Sequence, residues 1–331
     1  MGHPRVYRKN QAGKRNRAIM QVHHGLSSIQ QLPPSVVTSG TFDGLHFGHK
    51  KIIQRLKEVA KSHRLESVVI TFWPHPRFVL GKNTESLKLL STLDEKIKLF
   101  EQLGIDHFLI IEFNKRFSSL TSSEFIQDIL KEKVNTQKLV IGYDHRFGRN
   151  REGGFDYLME HQKELGFSVE EIPRQELEEV GVSSTKIRNA LLDGNVGAAK
   201  KYLGRSYSIA GKVVKGKQLG RTIGFPTANI QVEADYKLIP ASGIYAIKIE
   251  IEGDFFHGMM NIGFRPTVSD ENQQTLEANI FDFESDIYGK KIVIHFVEHL
   301  RNEQKFLDVS GLKAQLEKDK NHAKQIFNSN H

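Results

Sequence analysis

From residue 36 to about residue 203, short apolar runs alternate with longer stretches whose apolar positions recur at helical spacing. Runs over 36–41, 67–72, 108–111 and 138–141 read as strands, the first built on Val36 and Val37. Helical stretches over 48–62, 93–103, 155–165 and 185–192 accompany them, and another helix begins after Thr121. Two of these helices carry their own start signals. Thr92 with Glu95, and Thr121 with Glu124, have the spacing of capping boxes, and Gly104 stands where the first of the two should stop. Such alternation predicts an α/β domain: a doubly wound parallel sheet with helices on both faces and its ligand site at the carboxyl ends of the strands.

The pattern changes after Leu203-Gly204-Arg205. Stretches over 208–214, 243–251, 255–262, 275–283 and 291–297 read as strands separated by turn residues, and one helix, over 311–327, closes the chain. That predicts an antiparallel β-barrel domain with a C-terminal helix. The domain boundary is expected between about 190 and 205, giving domains 20–200 and 201–331 after a basic extension at 1–19. No internal repeat or low-complexity tract is evident.

Composition changes this picture little. At 331 residues, two domains can each bury a core. No apolar run is long enough to span a membrane, and the basic start lacks the apolar segment of a secretory signal, so no membrane partner is expected. The chain has no cysteine, which excludes disulfides and thiolate metal sites and suits a cytoplasmic protein. Its net charge of +8 is unevenly spread: Arg5, Arg8, Lys9, Lys14, Arg15 and Arg17 precede the first acidic residue, Asp43, leaving only +2 for the rest. A basic arm of this composition is expected to be disordered, and Met20 offers an alternative start. Nucleic acid is therefore not the expected partner. An oligomer is compatible with the sequence but not specified by it.

The sharpest local chemistry is Gly40-Thr41-Phe42-Asp43-Gly44-Leu45-His46-Phe47-Gly48-His49, between the first strand and the first helix. Free N–H groups and the positive end of a helix dipole favour anions there. His46 and His49 add donors for phosphate oxygens, and Gly48 permits close approach of a ligand. The alternative is that the histidines cap the helix or fill a polar pocket. No third metal ligand stands close by, and phosphate binding accounts better for the glycines. The segment 142–148 combines Asp144, His145 and Arg146 at a strand end. Val182-Ser183-Ser184-Thr185-Lys186-Ile187-Arg188 opens a helix with three hydroxyls and two cations, which suits a triphosphate or is an ordinary N-cap followed by surface charge.

In the barrel half, the glycine- and lysine-rich 211–221 leads into Pro226-Thr227-Ala228-Asn229. It lacks the P-loop spacing. The hydroxyl of Thr227 and the amide carbonyl of Asn229 can share a magnesium ion bridging ATP phosphates, or the tetrapeptide is a turn.

Residues 40–49, Thr71-Phe72-Trp73-Pro74-His75-Pro76, 142–148 and 183–188 together resemble the nucleotidyltransferases with the histidine-x-glycine-histidine signature, a Rossmann-like group. More narrowly they resemble the adenylyltransferase half of the bacterial bifunctional riboflavin kinase/FAD synthetases. Class I tRNA synthetases share the two histidines, but no Lys-Met-Ser-Lys-Ser loop is present. Residues 203–205, 211–229, 258–267, Glu277, 286–290 and 301–306 are similar to the riboflavin kinase half.

The resemblance implies magnesium and phosphate contacts at Thr227 and Asn229 and a catalytic base at Glu277. It implies ATP or phosphate contacts at Gly40, Phe42, Asp43, Gly44, His46, Gly48, His49, Asp144, Ser184, Thr185, Arg188, Gly211 and Gly220. His46, His49 and Arg188 would assist catalysis, and Asn261 and Arg301 would hold flavin. Two departures are small: the family usually has Phe at His145 and Ile at Val182. The implied activity is phosphorylation of riboflavin to FMN by ATP with Mg2+, then adenylylation of FMN by a second ATP to FAD and pyrophosphate. Alternatives are a single-activity enzyme with one degenerate domain, a transferase acting on another phosphate acceptor, and a non-catalytic flavin or RNA sensor.

Overall fold

The computed structural model describes residues 19–81, 87–174, 181–216, 219–265 and 273–329, so the basic extension lies outside it except for Ile19. So do Lys217 and Gln218 in the glycine-rich stretch, and Pro266 and Thr267 after the tenth strand. The chain divides into two compact units between Ser184 and Thr185.

In the first unit, β1 (Gln21–His24), β2 (Ser35–Ser39), β3 (Glu66–Trp73), β4 (His107–Glu112), β5 (Thr136–Gly142) and β6 (Ser168–Ile172) form one sheet in the order β1-β4-β3-β2-β5-β6. Every pairing is parallel. Because strand side chains alternate, each strand feeds two cores. Val36, Val69, Phe108 and Val140 pack under the helices Phe47–His63 and Leu93–Leu103 through Ile53, Leu56 and Phe100. Val37, Val68, Ile70, Leu109 and Leu139 pack on the opposite face with Phe125, Ile126, Ile129, Leu130 and Leu158. Both expected capping boxes form, at Thr92/Glu95 and Thr121/Glu124. The helix after Thr121 passes within a turn into a π-helix, Phe125–Lys133. The stretch expected as one helix over 155–165 is two, Phe155–Glu160 and Gln162–Leu165. They break at His161, whose Nδ1–H donates to the Tyr157 carbonyl at 2.8 Å.

The second unit carries the helix Val196–Leu203 and a closed barrel of β7 (Ser208–Val214), β8 (Ala228–Gln231), β9 (Gly243–Ile251), β10 (Asp254–Arg265), β11 (Gln273–Ile280) and β12 (Lys291–Arg301). Its order is β10-β11-β8-β7-β12-β9, with all neighbours antiparallel. Ile209, Val213, Ile230, Tyr245, Ile247, Ile249, Met260, Ile262, Ala278, Ile294 and Phe296 occupy one face of the pleat and are buried as its lining. The closing helix, Val309–Ser329, covers part of the outer face with Ala323 and Phe327 against Ala246, Met259, Phe225 and Phe281.

Candidate active sites

In the parallel sheet the chain winds away from β2 in both directions, so the switch point lies between β2 and β5. The loop after β2 and the loop after β5 meet there: Ser39 Oγ lies 2.8 Å from His145 Nε2. Burial pushes the His145 imidazole down to about 4, and its Nδ1 has no hydrogen-bond partner among the described residues.

The loop from Gly40 to His46 is tightly wound. Phe42, Gly44 and Leu45 all have positive φ (47°, 81° and 40°). For Phe and Leu that conformation is strained, and it holds here because both side chains are locked into the core, 3% and 1% exposed. Phe42 meets Phe100 and His49 edge-on. The loop delivers His46 as N-cap of the helix Phe47–His63, where its Nδ1 accepts the His49 N–H at 3.4 Å. That leaves Nε2 as the donor of a neutral His46. The His46 and His49 rings stack with centroids 3.7 Å apart. Burial, the adjacent His46 and the cation of Lys96 hold His49 well below the ordinary histidine range. The pair is thus disposed to offer an anion N–H donors rather than two full cations. A Cβ on Gly48 would stand 3.3 Å from the His46 ring, so glycine also keeps this stack undisturbed.

Asp43 has another task. Only 2% exposed, its carboxylate accepts the N–H groups of Leu90 (3.0 and 3.1 Å) and Ser91 (3.1 Å), tying the loop to the segment before the helix Leu93–Leu103. Ser184 Oγ donates to the Asp43 carbonyl at 2.9 Å, bringing another expected site residue to this loop. Asp144 is exposed beside the same sheet edge. Thr185 and Arg188 follow Ser184 on the helix Ser184–Leu192.

A second constellation lies on the outer face of the barrel. Asn229 pairs with Glu277 across β8 and β11, and Glu277 pairs with Asn261 across β11 and β10. Directly opposed residues share a face, so the three polar side chains form one row. Ile244 continues the row and is followed by Arg301. Asn279 donates to the Pro226 carbonyl at 2.7 Å and so ties the Thr227 turn to β11. A Cβ on Gly216 would come 2.1 Å from Asn229 Nδ2, so only glycine lets the preceding loop close over that amide. Among the described residues, the buried Asn261 Oδ1 has no hydrogen-bond partner.

Three of the expected contact residues also have partners within the chain. Gly211 lies on the lining face of β7, where a Cβ would strike Ile230 at 2.5 Å and the Gln231 carbonyl at 2.8 Å; close strand packing accounts for it. Gly220 is crowded by the Phe225 carbonyl, in a turn closed by the Phe225 N–H at 2.8 Å. The Arg301 guanidinium grips Asp319 of the closing helix through Nε (3.0 and 3.1 Å) and Nη2 (2.7 Å), and its Nη1 donates to the Asn302 carbonyl. Lys96, a buried residue in the first unit, went unrecognised in the sequence because one lysine on an amphipathic helix reads as surface charge.

Family models match both halves: FAD synthetase over residues 28–186 and riboflavin kinase over 203–327. The chain is 37% identical to the bifunctional riboflavin kinase/FMN adenylyltransferase of Bacillus subtilis (strain 168), covering 94% of this chain and 98% of that one. This chain belongs to the bifunctional riboflavin kinase/FMN adenylyltransferase family. The Escherichia coli (strain K12) member is 36% identical over 93% of this chain and 98% of its own. A crystal structure described as a macrolide-efflux protein from Streptococcus pneumoniae is 32% identical with a TM-score of 0.83, covering 92% of this chain and 99% of that one. Among the described residues here, no helix is long and apolar enough to cross a membrane. Members of this family join two activities, and this chain carries both: riboflavin kinase in the C-terminal half and FMN adenylyltransferase in the N-terminal half. ATP is the co-substrate, and FMN and FAD are the products.

Proposed function

We propose that the kinase reaction runs on the Asn229–Glu277–Asn261 row and the adenylyl transfer on the two-histidine loop. The observation supporting the first assignment is the register that sets Glu277 between the two asparagines. In the kinase step Glu277 accepts the proton of the ribityl 5′-hydroxyl as its oxygen attacks the γ-phosphate of ATP, giving FMN and ADP. Thr227 and Asn229 offer two neutral oxygen donors, a set that suits Mg2+ completed by phosphates and water. The ion, when bound, offsets phosphate charge. The unpaired Asn261 Oδ1 is an acceptor for a flavin N–H or ribityl hydroxyl, whereas Arg301 supports that face by holding the closing helix.

In the second step an FMN phosphate oxygen attacks the α-phosphate of ATP, forming FAD and releasing pyrophosphate. That oxygen is already ionised at neutral pH, so no general base is required. His46, His49, Ser184, Thr185 and Arg188 act by positioning and charge stabilisation, with backbone groups of 40–48. Asp43 shapes that loop rather than touching phosphate. Domain limits of 20–200 and 201–331 and a cytoplasmic location belong to the same proposal.

Glu277→Gln tests the kinase assignment. With riboflavin, ATP and Mg2+, flavins separated by chromatography should show no FMN above background, while supplied FMN still becomes FAD. Normal FMN production by this variant would remove Glu277 as the base.

A further inference from the structure

Lys96 lies beneath the phosphate loop. It is 2% exposed, and its Nζ donates to the Thr41 carbonyl at 2.6 Å. Its surroundings are specific: Asp43 on the same loop, His49 at the start of the next helix, and the Trp73 ring 6.0 Å from Nζ at the end of β3. Its helical neighbour Glu95 is turned back onto the Thr92 N–H. Asp43 and Lys96 are both shut away from water and interact electrostatically, so together they add no net charge under a site for a polyanion.

We propose that Lys96 is a positioning residue for adenylyl transfer: it cancels the buried Asp43 carboxylate and pins the Thr41 carbonyl, so that the loop accepts the phosphates of ATP. The inference rests on assigning that reaction to the two-histidine loop. If Lys96 loses its proton or its amine, a carboxylate charge is left unbalanced beneath the triphosphate, and repulsion weakens binding. Burial, partly opposed by Asp43, lowers the Lys96 ammonium to about 8, so this loss falls within reach of an ordinary pH titration.

The test is the KM for ATP in FMN adenylylation, measured from pH 7 to 9.5 alongside riboflavin phosphorylation by the same chain. In the unaltered protein, the adenylylation KM should rise by up to about tenfold per pH unit above 8. Lys96→Met should raise it on the order of 10- to 100-fold at pH 7 and remove the pH dependence. The double variant Lys96→Met/Asp43→Asn, neutral on both sides, should recover most of that loss, which a purely structural lysine would not allow. The kinase KM should not follow any of these changes.

A flat profile in the unaltered protein overturns the inference, whether or not the variants fold. So does a double variant no better than Lys96→Met. His49→Ala in the same assay separates the two levels. If His49→Ala fails and Lys96→Met is normal, only the role of Lys96 is wrong. If both are normal, the assignment of the loop is wrong as well.

Discussion

At the scale of single residues, each proposed site contains a contact that no charge pattern announces. Gly216 is one: its missing Cβ makes room for the Asn229 amide. Gly216→Ala should displace that flexible side chain without unfolding the barrel, lowering FMN formation by about 10²-fold while FAD formation from supplied FMN is unchanged. His145 is another. Its pKa falls from an ordinary 6.5 to about 4 in the folded chain, so the unfolded chain binds the extra proton first as pH drops. The stability it contributes is therefore whole above pH 6.5 and is lost between 6.5 and 4, about 3 kcal/mol in all. Urea unfolding of His145→Phe should show a shallower loss of N-terminal stability across that window than the unaltered chain; parallel profiles would refute the assignment. In the sequence His46 and His49 stand out because imidazoles at a strand–helix junction carry chemistry, whereas Glu277 stands out only through the family resemblance. The sequence could not show that Gly211 also packs against a strand or that Arg301 also clamps the closing helix, because both roles look the same in a motif as ligand contacts.

At the scale of elements, the missed segments have a common physical cause. The parallel strands absent from the sequence reading, β1 and β6, are the two edges of the sheet. Edge strands are short and polar, and β6 has two glutamates among its five residues, so the apolar signal that revealed β2 to β5 is weak there. Strand β8, only four residues long, begins inside a tetrapeptide that also reads as a turn, although it places Asn229 opposite Glu277. The helix Leu93–Leu103, with its capping box and glycine stop, was legible to the residue, whereas after Thr121 only the start was. The closing helix was legible too, but not what fastens it. Asp319 is 4% exposed, so Arg301→Ala leaves a buried carboxylate without its cation and should destabilise the barrel by about 3–5 kcal/mol. Arg301→Met/Asp319→Leu should recover most of this in thermal unfolding. If the double variant is no more stable than the single, the pair is not what holds the helix.

At the scale of the whole molecule, one chain joins two transferases, each with its own proposed constellation. The change from strand–helix alternation to pure strands made the two halves visible in the sequence, because period and length survive even where individual edges fade. Register and loop strain were not visible, since both arise from contacts between distant segments. The central claim is that the two chemistries are separable within folded protein. The most direct measurement supplies riboflavin, ATP and Mg2+ to His49→Ala, to Glu277→Ala and to a mixture of the two, and follows FMN and FAD by chromatography. His49→Ala should accumulate FMN with FAD formation reduced on the order of 10²–10³-fold. Glu277→Ala should make neither flavin from riboflavin yet convert supplied FMN, and the mixture should again yield FAD. Loss of both activities in either folded variant would contradict the account.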